Sequence, residues 1–174
     1  GVVINGRLQK TREGVPQGGP LSPILANILL DDLDKELENR GHKFARYADD
    51  FVILCADEHQ AHRALHEVQR WMQAHGLRLH PDKTHVGDCR QPGQGFEFLG
   101  YRFEAGQRWV RKKSLKAFKE RIREKTRRTR GDSLERIIAE LNPSLRGWFG
   151  YFKHAHRYTF PMIDGFVRRR LRAI

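Results

Sequence analysis

The sequence predicts an α+β chain, an antiparallel sheet with packed helices followed by a small α-helical bundle. Three observations carry this expectation. Strand-like runs alternate with amphipathic helices as far as Phe103. From Leu115 onward apolar residues recur only at helical spacing. The charge balance changes between the two segments: residues 1–103 hold 13 basic and 14 acidic side chains, residues 104–174 hold 20 and 7. The second segment therefore carries +13 against −1 for the first, the whole of the net +12, and the expected division is 1–103 and 104–174.

The elements follow in order. Val2-Val3-Ile4 and Arg7-Leu8-Gln9 flank Asn5-Gly6, a pair that supplies the positive φ angles of a type I′ hairpin turn. Residues 14–20 form a Gly- and Pro-rich loop. Ser22-Pro23 starts a helix, serine as N-cap and proline at the first helical position. Its expected buried face is Ile24, Leu25, Ile28, Leu29, Leu33 and Leu37, and Gly41 ends it. Two strands, Phe44-Ala45-Arg46 and the continuously apolar 51–55, meet around Tyr47-Ala48-Asp49-Asp50; the second reads as covered on both faces. A helix over about 58–75 turns Ala61, Ala64, Leu65, Val68, Trp71 and Met72 inward and ends at Gly76. Residues 77–79, 84–86 and 96–103 are short strand candidates. Beyond Val110, stripes at Leu115/Phe118/Ile122, Leu134/Ile137/Ile138/Leu141, Leu145/Trp148/Phe149/Phe152 and Ile163/Phe166/Val167/Leu171 give three or four helices, with a break expected at Asn142-Pro143.

Composition narrows the function. With 39% hydrophobic residues the chain can bury a core. A cationic excess confined to one helical segment points to a polyanion, nucleic acid before membrane. No run approaches the roughly 18 apolar residues of a membrane span, and no signal-peptide pattern opens the sequence, so no membrane partner is expected. Cys55 and Cys89 cannot form a disulfide framework and fit a reducing compartment, and a bacterial cytoplasm is the expected setting. His75, His80, His85 and Cys89 are too loosely spaced to read as a zinc site.

Asp49-Asp50 carries the chemistry. Two carboxylates about 4 Å apart repel by about 1 kcal/mol in water and about 4 kcal/mol at an effective dielectric of 20. A turn between apolar strands is a costly place for them unless they hold a divalent cation, and Mg²⁺ prefers such hard oxygen donors. As a bare tetrapeptide the pair reads first as a polar hairpin tip, since Asp is a common turn residue.

The surrounding motifs decide between these. Gly14-Val15-Pro16-Gln17-Gly18-Gly19-Pro20-Leu21-Ser22-Pro23, then Tyr47-Ala48-Asp49-Asp50, then Gly76-Leu77-Arg78-Leu79-His80-Pro81-Asp82-Lys83-Thr84, then Phe98-Leu99-Gly100-Tyr101, resemble the ordered motifs of reverse transcriptases, above all the group II intron-encoded kind. Leu141-Asn142-Pro143-Ser144-Leu145-Arg146-Gly147-Trp148-Phe149-Gly150-Tyr151-Phe152 resembles the maturase, or thumb, signature of the same proteins. The resemblance implies part of a polymerase palm followed by thumb helices. It implies a pair of catalytic Mg²⁺ ions bound by Asp49, with Asp50 its less directly engaged neighbour. Tyr47 and Ala48 would lie beside the primer end and the deoxynucleoside triphosphate, Gln17 and Gly18 beside nucleotide or template, and Lys83 near the triphosphate. Phe98, Leu99 and Gly100 resemble the primer-supporting strand. Lys112, Lys113, Lys116, Lys119, Arg123, Arg127, Arg128 and Arg130 would meet phosphates of a template–primer duplex and of intron RNA. Trp148, Phe149 and Phe152 read as core in preference to base-stacking groups.

The family's palm needs a further aspartate upstream of the Gln17-Gly18 loop, and residues 1–174 do not contain it. The polypeptide by itself is therefore expected to lack polymerase activity. Two other readings stay open at this level: a non-catalytic RNA-binding maturase, and a reverse transcriptase of another mobile or defence-associated element. Oligomeric state is not legible in the sequence.

Overall fold

The computed structural model describes residues 19–174, together with the backbones of two short strands, β1 (Val2–Ile4) and β2 (Arg7–Gln9). These pair antiparallel, Ile4 opposite Arg7. The expected turn residues Asn5 and Gly6 lie outside the described residues. By its internal contacts the chain forms two compact units, Gly1–Val86 and Gly87–Ile174.

In the first unit, α1 (Ser22–Asn39) leads into an antiparallel hairpin of β3 (Lys43–Tyr47) and β4 (Asp50–Leu54), followed by α2 (Glu58–Ala74). Leu21 occupies the N-cap position and Ser22 the first helical one, a single residue from expectation. Asp57 caps α2, its side chain accepting from the Gln60 N–H at 2.7 Å. Leu30, Leu33 and Leu37 of α1 meet Val68 and Met72 of α2, with Phe44, Phe51 and Ile53 of the hairpin packed against them.

Three expectations fail here. Ile24, Leu25, Ile28 and Leu29 are 40–65% exposed, because the apolar core shared with the hairpin and α2 takes in only Leu30, Leu33 and Leu37 of α1. The apolar run 51–55 is half-covered: Phe51 and Ile53 face the helices, and Leu54 is exposed. Residues 77–79 and 84–86 join no strand ladder. Leu77 and Leu79 still pack on the core, but a 3₁₀ turn at Pro81–Lys83 bends the chain between the two segments.

In the second unit, β5 (Phe96–Phe98), β6 (Tyr101–Glu104) and β7 (Gln107–Val110) form an antiparallel sheet in sequence order. Both connections are two-residue turns, Leu99-Gly100 and Ala105-Gly106, with positive φ at all four residues as type I′ geometry requires. Then come α3 (Lys112–Lys125), α4 (Leu134–Phe152) and α5 (Thr159–Leu171). Phe118 and Ile122, Ile137 and Leu141, and Ile163 and Val167 form their shared core. A second cluster of Val110, Phe152 and Ala155 joins sheet to helices.

The break expected at Pro143 does not occur; α4 runs through it. Proline in a helix interior costs about 3 kcal/mol. Ile137 and Leu141 on one side of it and Leu145 and Trp148 on the other bury into the same core, which offsets that cost. Trp148 stacks on Phe118 at 4.4 Å between ring centroids, and Phe152 is buried, so both are core as expected. Phe149 is not; it is more than half exposed.

Candidate active site and nucleic-acid interface

The acidic pair sits at the tip of the β3–β4 hairpin. Tyr47 pairs with Asp50, leaving Ala48 and Asp49 as a two-residue turn. Asp49 and Asp50 are both exposed, and so is Tyr47. Ala48 holds φ +55, a conformation that costs an L-residue about 1 kcal/mol or more. Arg46 holds it there. One Nη1 donates to the Ala48 carbonyl at 2.9 Å and to Asn27 Oδ1 at 2.8 Å, while Nε and Nη2 grip both oxygens of Asp34 at 2.5–2.9 Å. The Arg46 side chain is only 11% exposed. Asp34 foremost, with Asp31 adding, pushes the guanidinium pKa further up, so the brace is permanently charged.

This clamp was missed by sequence reasoning. Asn27 and Asp34 lie seven residues apart on one stripe of α1, but only the fold brings Arg46 of the strand against that stripe.

Among the described residues, neither Asp49 nor Asp50 has an ion-pair partner, and no third His, Cys, Asp or Glu joins them in a metal-holding group. The donor set nevertheless fits a divalent cation: two adjacent, accessible carboxylates offering hard oxygens, with no cation already compensating them. Gln17 and Gly18 lie outside the described residues. Lys83 is exposed in the Pro81–Lys83 turn of the same unit.

Phe98, Leu99 and Gly100 belong to the second unit. Phe98 ends β5, and Leu99-Gly100 make the turn to β6. Two tyrosines fix that turn to α4. Tyr151 Oη donates to the Leu99 carbonyl at 2.8 Å, and Tyr101 Oη donates to the Tyr151 carbonyl at 2.5 Å. Burial pushes the Tyr101 pKa up, so it stays a donor.

The cations of α3 and of the turn that follows it divide by their partners. Lys112, Lys113 and Lys116 are exposed on the first turns. Lys119 and Arg123 lean over the Phe166 ring at 5.7 and 5.3 Å. Arg127 and Arg128 are exposed, with Arg128 donating to the Ala173 carbonyl. Arg130 turns inward to Glu140 and Asp132, at 3.0 and 2.7 Å, and those carboxylates balance its charge. Arg170, one of the three arginines in sequence on α5, also has a structural task. It donates to the Thr126 carbonyl at 2.6 Å and to Thr126 Oγ1 at 3.0 Å, capping the C-terminus of α3 where a cation is favoured.

The first unit thus carries an exposed acidic hairpin turn, and the second a three-helix segment rich in cations. Comparison with known families makes this specific. Residues 3–103 match the reverse transcriptase (RNA-dependent DNA polymerase) family, and residues 115–174 match the group II intron maturase-specific domain. The chain belongs to the reverse transcriptase family and is of the group II intron-encoded kind. Protein YkfC of Escherichia coli K12 is 31% identical over 135 residues, covering 56% of this chain and 34% of that protein. The retron Mx162 reverse transcriptase of Myxococcus xanthus is 36% identical over 102 residues, 49% of this chain and 21% of the relative. The group II intron-encoded protein LtrA of Lactococcus lactis subsp. cremoris is 50% identical over 46 residues, 26% of this chain and 8% of the relative. The chain thus spans about a third or less of the curated relatives it matches. Among the described residues, no helix is long and apolar enough to cross a membrane.

Proposed function

We propose that the protein carrying this chain is an RNA-directed DNA polymerase of the group II intron type, with residues 1–103 contributing to the palm and 104–174 forming the thumb and maturase segment. The observation that carries the reading is the exposed Asp49-Asp50 turn, braced by Arg46, in a chain that matches both family models. In the reaction, the primer 3′-hydroxyl gives up its proton to solvent as its oxygen bonds to the α-phosphorus of a deoxynucleoside triphosphate, the bond from that phosphorus to the bridging oxygen of the β-phosphate breaks, and pyrophosphate leaves with the electron pair. Asp49, with Asp50, would hold divalent magnesium, which when bound activates the attacking oxygen and stabilises charge on the phosphate and leaving group. Tyr47 offers an exposed ring beside the turn for the primer end or incoming sugar. Lys83 offers an ammonium to the triphosphate, and Gln17 and Gly18 contact nucleotide or template. Arg46 keeps the Ala48–Asp49 peptide in place without itself touching substrate.

In the second unit, Tyr151 fixes the Leu99-Gly100 turn, the proposed primer support. Lys112, Lys113, Lys116, Lys119, Arg123, Arg127 and Arg128 face the template–primer duplex and intron RNA, giving binding that weakens steeply with salt. Arg130 supports that surface through its pairing with Glu140 and Asp132.

The test is Asp49→Ala in the whole protein. Templated primer extension should vanish while filter binding of intron RNA persists. Extension that survives the substitution would refute the catalytic assignment and leave an RNA-binding maturase.

A further inference from the structure

The loop between α4 and α5, residues 153–158, reads Lys-His-Ala-His-Arg-Tyr and is tied firmly to the sheet. The His156 N–H donates to the Arg108 carbonyl at 2.6 Å, adding a rung beside β7. The His156 ring stacks on Trp109 at 4.1 Å, and Ala155 is buried with Val110 and Phe152. Between this loop and the β6–β7 turn lies a cavity of about 460 Å³, lined by Gly106, Gln107, Arg108, His154, Ala155, His156 and Arg157. It is shallow and open to solvent, with a mostly polar lining.

The lining has an unusual charge balance. It holds two guanidiniums and two imidazoles but no carboxylate. Among the described residues, neither Arg108 nor Arg157 has an acidic partner, whereas Arg102, Arg111, Arg130 and Arg136 of the same unit each have one. A guanidinium without a carboxylate presents its donor fork to a phosphate. Beside the cavity, Tyr158 is 64% exposed, its ring 5.0 Å from His156 and 5.3 Å from the Arg157 guanidinium. An exposed aromatic ring beside cations that lack a carboxylate partner is the combination that holds single strands, base on ring and phosphate on arginine.

We propose that this cavity is a second nucleic-acid site, which takes one nucleotide of a single-stranded polynucleotide. Arg108, Arg157 and His154 hold its phosphate and Tyr158 receives its base. The site is distinct from the α3 surface: β7 runs from the cavity at Gln107 and Arg108 to the start of α3 beyond Val110. An open polar depression admits a splayed-out nucleotide from solvent, whereas the exposed side of α3 suits the backbone of a duplex. The proposal needs only that the chain meets single-stranded nucleic acid, not that it polymerises.

The test uses the whole protein carrying this chain with a fluorescein-labelled ten-nucleotide oligouridylate and, in parallel, a duplex of the same length, read by anisotropy over a salt series. Arg108→Gln with Arg157→Gln should weaken oligouridylate binding about tenfold or more. The log–log salt slope should also flatten by about 1.4, two contacts at about 0.7 each, with duplex affinity unchanged within about twofold. Tyr158→Ala should weaken oligouridylate about fivefold or more without changing the slope. Lys112→Gln with Lys116→Gln should do the reverse, weakening the duplex most. All substituted side chains are exposed, so folding is spared. The proposal is overturned if the arginine pair leaves oligouridylate affinity and slope unchanged, or if both ligands weaken equally.

Discussion

Replacing Arg46 by alanine perturbs a side chain that ties the acidic turn to α1. The substitution removes donors to both Asp34 oxygens, to Asn27 and to the Ala48 carbonyl, all at 2.5–2.9 Å. Hydrogen bonds to charged groups contribute about 1.5–3 kcal/mol, and breaking a fully buried pair costs about 3–5 kcal/mol. Arg46 and Asp34 are 11% and 23% exposed, so the stranded Asp34 is partly relieved by water and about 2–3 kcal/mol is the expected loss. Hydrogen exchange read by mass spectrometry on peptides spanning 43–54 should show opening about 30- to 150-fold more frequent. Peptides of the second unit should not change. Arg46→Met combined with Asp34→Leu should recover much of the loss, because no unpaired charge remains. In the whole protein, Arg46→Ala should also lower the primer-extension rate without abolishing intron RNA binding. Exchange in 43–54 that matches the wild type would refute the bracing role.

Three further outcomes are expected. The Glu67 carboxyl lies below the ordinary carboxylate range, chiefly through its hydrogen bond with His42 at 2.9 Å, with Arg40 adding. Its depressed folded pKa gives stability that is fully present above the unfolded value of about 4.3 and is lost as pH falls through the folded one. Urea melts between pH 3 and 6 should therefore show an acid-side fall that Glu67→Gln reduces. Gly95→Ala would put a Cβ 2.4 Å from the Phe103 carbonyl oxygen and 2.6 Å from Glu104 Cβ. Because the first of these is backbone of β6, a loss above about 2 kcal/mol in a denaturant melt is expected. Pro143→Ala restores an N–H within α4, so thermal unfolding should move upward by several degrees; an unchanged or lowered midpoint would mean that the proline's shape is itself required.

Much of this architecture was legible because the signals are local. The Asp49 turn, the α2 stripe at Ala64, Val68 and Met72, and the α3 stripe at Phe118 and Ile122 each follow from spacing alone. What sequence missed depends on partners. Ile24 and Ile28 have helical spacing, yet spacing does not say how far a facing core extends. Pro143 carries a local stop signal that packing on both sides overrides. Arg130 and Arg127 look alike in the sequence; only the folded positions of Asp132 and Glu140 separate an inward cation from an outward one. The Arg46 clamp and the cavity beside His156 join residues on separate elements, so neither shows as a motif.

The seat of the divalent ion can be mapped directly in the whole protein by replacing magnesium with iron(II) and ascorbate, and sequencing the backbone cuts made by locally generated hydroxyl radicals. Scission concentrated within residues 47–51, suppressed by excess magnesium and lost in Asp49→Asn, is the expected result. A cleavage pattern that avoids those residues, or that Asp49→Asn leaves unaltered, would contradict the placement of the reaction at this hairpin.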